Sequence, residues 1–173
     1  MKKRWSPASF LNGLTLLWVF SAFLPATISG QTDETAQKEV RATIQKLFDG
    51  MRASDSVLIK SVFHAEARLH TTFTGKDGKP QLRSAEIAKF IAQVGAKHEV
   101  MLDERIWNYD IRVDANLATA WTEYTFFLGE KMSHCGVNAF QLVKTEAGWQ
   151  ILNITDTRRT ENCRTEAAPG VDK

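Results

Sequence analysis

The residues best suited to chemistry lie in the second half of the chain. Tyr124 and Asp156 are of types that act as general acids and bases, and the planar guanidinium of Arg158 could bind a carboxylate or a phosphate. His134 directly precedes Cys135, which suggests a thiol–imidazole pair. If both residues lie on a strand, their side chains point to opposite faces. The pair is therefore not expected to form a catalytic dyad.

Each of these residues also has a structural interpretation, which we favour. Tyr124 could place its hydroxyl at the rim of a pocket, and Asp156 could pair with Arg158 or Arg159. His134 could be a half-buried imidazole that bonds to the backbone or to a neighbour. The sequence therefore contains candidate groups for a site without a catalytic signature, and the catalytic residues stay unassigned.

No metal or cofactor site is predicted. The histidines show no paired spacing, and one His with two Cys is not a recognisable zinc set. The sequence also contains no glycine-rich phosphate loop and no nucleophile elbow.

The hydrophobic period changes from helical to strand-like near position 99. Before it, apolar residues recur every three or four positions over 36–51, which predicts an amphipathic helix. A shorter helix capped by Ser54 or Asp55 is expected, then a strand over 68–74, and then a third helix that is capped by Ser84 and closed by Gly95. Residues 99–158 alternate between apolar and polar, with turns at 114–116, 129–131 and 145–148. The pattern predicts an α+β domain in which helices precede a four-stranded antiparallel meander.

This order of elements resembles the nuclear transport factor 2-like superfamily, which includes SnoaL-like and lumazine-binding-like proteins. The stretch FDGMRASDSVLIKSVFHAEARL (48–69) is similar to its helix, short helix and strand, and GWQILNITDTRR (148–159) to its last strand. The stretch WTEYTFFLGEKMSHCGVNAFQLVKT (121–145) is similar to an exported subgroup. The resemblance covers 33–159 and implies a cone of three N-terminal helices packed on a curved antiparallel sheet. Its members include isomerases, dehydratases, epoxide hydrolases, polyketide cyclases and non-catalytic binding domains, so the fold leaves the activity open.

A cone of this kind has a pocket at its wide end, and alternate strand residues would line it. The candidates are the polar and aromatic residues of the predicted strands. They are His70, Trp107, Tyr109, Trp121, Tyr124, His134, Asn138, Asp156 and Arg158. For the tryptophans, a place in the core is the favoured alternative, because large aromatic side chains dominate small cores.

The N-terminus has the layout of a secretory signal peptide. Lys2, Lys3 and Arg4 precede an apolar run over 10–24 and a small-residue stretch over 25–30. The run is shorter than the roughly 20 residues that a membrane-spanning helix needs, so we expect cleavage near Ser29 or Gly30 and no stable membrane anchor. The sequence thus predicts a leader over 1–30, a domain over 31–160 and a polar tail over 161–173, in a secreted or periplasmic protein.

The charge of the mature chain is close to neutral. The sequence has 22 basic and 20 acidic residues, and three of the basic ones lie in the predicted leader. Nucleic-acid binding requires a clear basic excess on one face, so a nucleic-acid partner is not expected.

The two cysteines, Cys135 and Cys163, are predicted to form a disulfide in an oxidising compartment. A reactive thiol, or two unpaired thiols, is the alternative. If the turn at 145–148 places Lys144 opposite Trp149, then Cys135 lies opposite Arg158 and Asn138 opposite Thr155. This register would let the tail return to Cys135.

Three functions follow from these observations. The first is an exported domain that binds a small, partly apolar molecule without a catalytic set. The second is an isomerase, dehydratase or cyclase that uses acid–base residues of the pocket. The third is a non-catalytic module that forms a homodimer through its sheet.

Overall fold

The computed structural model describes residues 28–164, with side chains from Asp33 onward. The predicted leader lies outside this range except for the backbone of its last three residues, and so does the end of the predicted tail, 165–173. Within the described range, no helix has the length and apolar character needed to cross a membrane.

Residues 28–164 form three helices and six strands, which confirms the predicted α+β class. In chain order they are α1 (Ile28–Ala53), α2 (Ser56–Ser61), β1 (Phe63–Thr74), β2 (Pro80–Ala85), α3 (Ile87–Val94), β3 (Leu102–Asp114), β4 (Leu117–Leu128), β5 (Lys131–Thr145) and β6 (Gly148–Thr157). The strands form one sheet in the order β2-β1-β6-β5-β4-β3. All neighbouring strands are antiparallel except β1 and β6, which are parallel.

The helices cover the concave face of the sheet. The apolar stripe of α1, from Val40 to Met51, is buried against that face, as the helical period predicts. Asp55 caps α2, because its carboxylate accepts hydrogen bonds from the backbone N–H groups of Val57 at 3.0 Å and Leu58 at 2.9 Å. The centre of the core is formed by Phe140, Leu142 and Ile151 from the sheet, together with α1.

The prediction that Ser84 caps α3 is wrong. Residues Pro80–Ala85 instead form the edge strand β2, and α3 begins at Ile87. The hydroxyl of Ser84 bonds to the ring of His70 at 2.9 Å rather than capping a helix. Pairing with the free edge of β1 outweighs the local capping signal, and Pro80 is tolerated because it is the first residue of an edge strand.

The predicted register of β5 and β6 holds only near their turn. Lys144 lies opposite Trp149, as predicted, but Leu152 is an extra residue between the pairs Leu142–Ile151 and Gln141–Asn153. This β-bulge shifts every later pair by one position. Asn138 therefore lies opposite Asp156 rather than Thr155, and Cys135 lies opposite Arg159 rather than Arg158.

The predicted disulfide is present. Cys135 and Cys163 are bonded, with Cα atoms 5.6 Å apart, on the outer face of the sheet. A pair of backbone hydrogen bonds beside it joins Cys135 to Arg159, at 2.8 and 2.9 Å. The disulfide and this bridge hold the chain after β6 against β5.

Candidate functional site

A cavity of about 290 Å³ lies between the concave face of the sheet and helices α1 and α3. Its apolar lining residues are Leu47, Phe48, Met51, Leu69, Ala85, Phe90, Phe140 and Ile154. Its polar lining residues are His70, Thr71, Arg83, Gln93, Glu104, Tyr124, Asn138, Asp156 and Arg158. Two larger depressions, on the outer face of the sheet and beside α2 and α3, are more open to solvent. The 290 Å³ cavity is less open than either depression and gathers several titratable groups beside apolar residues.

The sheet register aligns polar residues of the concave face in one row. Arg83 on β2 lies opposite Thr71 on β1, and Thr71 lies opposite Asp156 on β6. Asp156 lies opposite Asn138 on β5, which lies opposite Thr122 on β4. The row crosses five strands, so residues far apart in the sequence meet at the cavity.

Asp156 is the most highly bonded member of the row. It accepts hydrogen bonds from the Thr71 hydroxyl at 2.6 Å and the Tyr124 hydroxyl at 3.2 Å, and the Arg158 guanidinium lies 3.6 Å away. The Tyr124 hydroxyl also lies 2.9 Å from the carbonyl oxygen of Thr157. Burial raises the pKa of Tyr124, and the nearby carboxylates of Glu104 and Asp156 raise it further. Tyr124 therefore keeps its proton and acts as a hydrogen-bond donor to the end of β6.

Glu104 is the residue with the most unusual electrostatics in the cavity. Burial raises its pKa from 4.5 to about 7, and the negative charge of Asp156 adds to this effect. A hydrogen bond from the Asn138 amide at 2.8 Å and the positive charge of Arg158 act in the opposite direction. Glu104 can therefore gain or lose a proton close to neutral pH, as a general acid or base must.

Five of the nine predicted pocket residues line this cavity. They are His70, Tyr124, Asn138, Asp156 and Arg158. Tyr109 lies elsewhere on the concave face, where its ring contacts Arg41 and its hydroxyl is 3.4 Å from Gln45. Trp107 and Trp121 lie on the outer face. Trp107 is buried and donates to Glu123 at 3.1 Å, whereas Trp121 is 54% exposed.

His134 lies beside the cavity wall rather than on it. Its ring centroid is 5.8 Å from that of Tyr124 and 5.0 Å from that of Phe126. Burial lowers its pKa to about 4, and the charge of Arg158 adds to the effect, so the imidazole is neutral at pH 7. Since Cys135 is in the disulfide on the other face, the two neighbours do not form a dyad.

Glu104 was not predicted from the sequence, although a signal for it exists. In the stretch LDERIW, positions 102, 104 and 106 share one face of a strand, and Leu102 and Ile106 both belong to the core. A carboxylate between two core residues on the same face indicates a buried polar site. Thr71 and Arg83 reach the cavity only through the pairing of β1 with β2 and β6, which the sequence did not reveal.

No metal-binding group was found among residues 28–164. In that range, no three side chains of His, Cys, Asp or Glu come close enough together to hold an ion.

Several solved structures share this fold. One is a nuclear transport factor 2-like protein of unknown function from Shewanella baltica, 17% identical, with a TM-score of 0.55, covering 78% of this chain and 98% of that one. A nuclear transport factor 2-like protein with a cystatin-like fold from Novosphingobium aromaticivorans is 12% identical, with a TM-score of 0.58 and coverages of 80% and 87%. A Mycobacterium tuberculosis protein of unknown function is 16% identical, with a TM-score of 0.59 and coverages of 86% and 85%. At these identities the likeness establishes the fold alone.

At the level of sequence, the comparison with curated proteins found no match. A family model described as "Putative lumazine-binding" matches residues 35–155, from the first helix to the last strand. The match covers well over half of the sequence and every residue that lines the cavity except Asp156 and Arg158. The chain therefore belongs to the family that this model describes, and it has the fold of the nuclear transport factor 2-like structures.

Proposed function

We propose that the chain binds a small, partly apolar molecule in the 290 Å³ cavity. The observation that carries this proposal is the mixed lining of the cavity, in which apolar residues of α1 and the sheet accompany a polar group around Glu104 and Asp156. A cavity of this kind holds the apolar part of a ligand by desolvation and orients it with a few hydrogen bonds. The family description suggests a first probe, lumazine, a flat bicyclic heterocycle with amide groups at its edge.

Export of the protein is part of the same proposal. It is supported by the charged and apolar layout of residues 1–30 and by the Cys135–Cys163 disulfide, since such bonds persist in oxidising compartments. N-terminal sequencing of the exported protein checks it, with a first residue near Gly30 as the expected result and Met1 as the result against it.

A cavity-filling variant tests the binding site. Ala85 lines the cavity, and an Ala85→Trp side chain would occupy part of its volume. We expect this variant to lose at least about tenfold in lumazine affinity, because a blocked cavity cannot bury the ring. Fluorescence titration measures the affinity.

The matched control is Ala65→Trp, which makes the same substitution at an exposed position of β1 outside the cavity. This variant should bind as the wild type does. Equal losses in the two variants, or no loss in Ala85→Trp, would place binding elsewhere.

A second candidate function is acid–base catalysis of the isomerase or dehydratase type. The observation that favours it is the pKa of about 7 for Glu104, beside a second carboxylate at Asp156. Exchange of a carbon-bound proton of a bound ligand in D2O, lost in Glu104→Gln, would distinguish an enzyme from a binding protein.

A further inference from the structure

Glu104 holds one carboxylate oxygen available toward the cavity. Its Oε1 accepts the Asn138 amide at 2.8 Å, and its Oε2 accepts no hydrogen bond from residues 33–164. Asn138 is only 4% exposed and lies opposite Asp156 in the sheet, so it holds the carboxylate in a defined orientation. A ligand in the cavity therefore meets a hydrogen-bonding atom that is already oriented.

Arg158 supplies the complementary group. Its guanidinium lines the same cavity, and its nearest approach to Asp156, 3.6 Å, is too long for a hydrogen bond. The positive charge of Arg158 also lowers the pKa of Glu104, which opposes the effect of burial. An acceptor oxygen and a set of N–H donors thus face one small space.

We infer that the cavity selects ligands with an N–H group next to a carbonyl group, as in a cyclic amide or ureide, with the N–H donated to Glu104 Oε2 and the carbonyl oxygen bound by Arg158. The inference rests on the proposed function and names the chemical class of its ligand. Selection follows because a ligand without the N–H would leave a desolvated carboxylate oxygen without a partner.

The protonation of Glu104 sets the strength of this selection. The groups around Glu104 are Asp156 and Arg158 on β6, Tyr124 on β4, Arg83 on β2, and Arg52 on α1, which donates to the Glu104 backbone carbonyl. The imidazole of His70 points to the other face of the sheet, where it bonds to Ser84. As the pH rises through about 7, Glu104 becomes an ionised acceptor. The preference for an N–H ligand should therefore be stronger at pH 8 than at pH 6.

The experiment compares lumazine with 1,3-dimethyllumazine. In the second compound, methyl groups replace the hydrogens of the two ring N–H groups that lie next to the carbonyls. The wild type at pH 8 should bind lumazine at least about tenfold more tightly, the usual effect of a hydrogen bond to a charged group. In Glu104→Gln the preference should fall below about threefold. The reason is that the Asn138 N–H would bond to the oxygen of the new side-chain amide at position 104. The NH2 group of that amide, which cannot accept a hydrogen bond, would then face the ligand.

The variant also separates hydrogen bonding from bulk. If the methyl groups were rejected by size alone, Glu104→Gln would keep the full preference, and the inference would be overturned. A wild-type series from pH 6 to 8 needs no variant, and a preference that does not grow with pH would also overturn it.

The outcomes distinguish the inference from the proposed function. Equal binding of the two heterocycles by the wild type, lost in Ala85→Trp, would leave the cavity as a binding site and refute the N–H selection. Absence of binding of both heterocycles would count against the proposed function and the inference together.

Discussion

Glu104 and His134 are titratable residues that the fold holds uncharged over part of the pH range. Burial raises the pKa of Glu104 to about 7 and lowers that of His134 to about 4. Both effects have the same cause, because apolar surroundings disfavour whichever form carries the charge. Between pH 4 and 7, this end of the concave face therefore carries fewer charges than its composition suggests.

The raised pKa of Glu104 makes stability depend on pH. In the unfolded chain the carboxyl ionises above pH 4.5, whereas in the folded chain it ionises only near pH 7. The contribution of neutral Glu104 is thus fully present below pH 4.5 and lost as the pH rises through 7. We expect Glu104→Gln to be more stable than the wild type at pH 8 by roughly 1–3 kcal/mol and no more stable at pH 4.5.

Urea unfolding at the two pH values measures this difference. Glu130→Gln is the matched control, because Glu130 is an exposed residue of the turn between β4 and β5. The prediction would be contradicted if the difference in free energy of unfolding between Glu104→Gln and the wild type were the same at both pH values.

At the scale of elements, the end of β6 connects the disulfide to the cavity. The chain after β6 is held to the outer face by the Cys135–Cys163 bond, by a hydrogen bond from Thr125 to the Arg164 carbonyl, and by an ion pair between Arg164 and Glu123 at 3.1 Å. The same strand end presents Arg158 to the cavity. Loss of the disulfide should therefore affect both stability and the cavity wall.

Replacement of both cysteines tests this connection. The disulfide spans 28 positions, and a loop of that length is expected to contribute about 3–4 kcal/mol. A Cys135→Ser, Cys163→Ser double variant should lose that much in its free energy of unfolding, measured by urea titration. Wild-type protein unfolded in a dithiol reductant should match it. If the double variant were as stable as oxidised wild type, the bond would not stabilise the fold.

At the scale of the whole molecule, the outer face of the sheet carries an exposed aromatic residue beside an ion pair. Trp121 is 54% exposed there, beside a shallow depression of about 540 Å³. Asp110 and Arg112 lie in the same depression and pair at 3.2 Å. A two-fold axis through this patch would bring the same residues of both copies together, as a symmetric interface requires.

We propose a homodimer through this face. A Trp121→Glu variant should sediment as a monomer at concentrations where the wild type sediments as a dimer, because a buried, unpaired carboxylate opposes association. Leu82→Glu, at an exposed position on the edge strand β2, is the control and should remain dimeric. A wild type that is monomeric at tens of micromolar would refute the proposal.

Much of the fold was predictable because its elements have strong local periods. The helical stripe of α1 and the alternation of β3 to β6 are visible in the sequence, and the structure confirms both. The strand β2 was missed because it depends on pairing with β1 across a turn rather than on its own residues. The register of Asn138 was off by one because no residue type at Leu152 signals an extra residue in β6.

The types of chemical groups, their alternation along strands and the pairing of the two cysteines were all present in the order of the amino acids. Which of those groups meet depended on three-dimensional contacts. The parallel pairing of β1 with β6 and the bulge at Leu152 align Thr71, Asp156 and Asn138 in one row. That alignment places Asn138 within hydrogen-bond reach of Glu104, in a cavity whose burial shifts its pKa. The local periodicity of the sequence does not determine which side chains come within hydrogen-bond distance, because burial and strand register are properties of the packed chain.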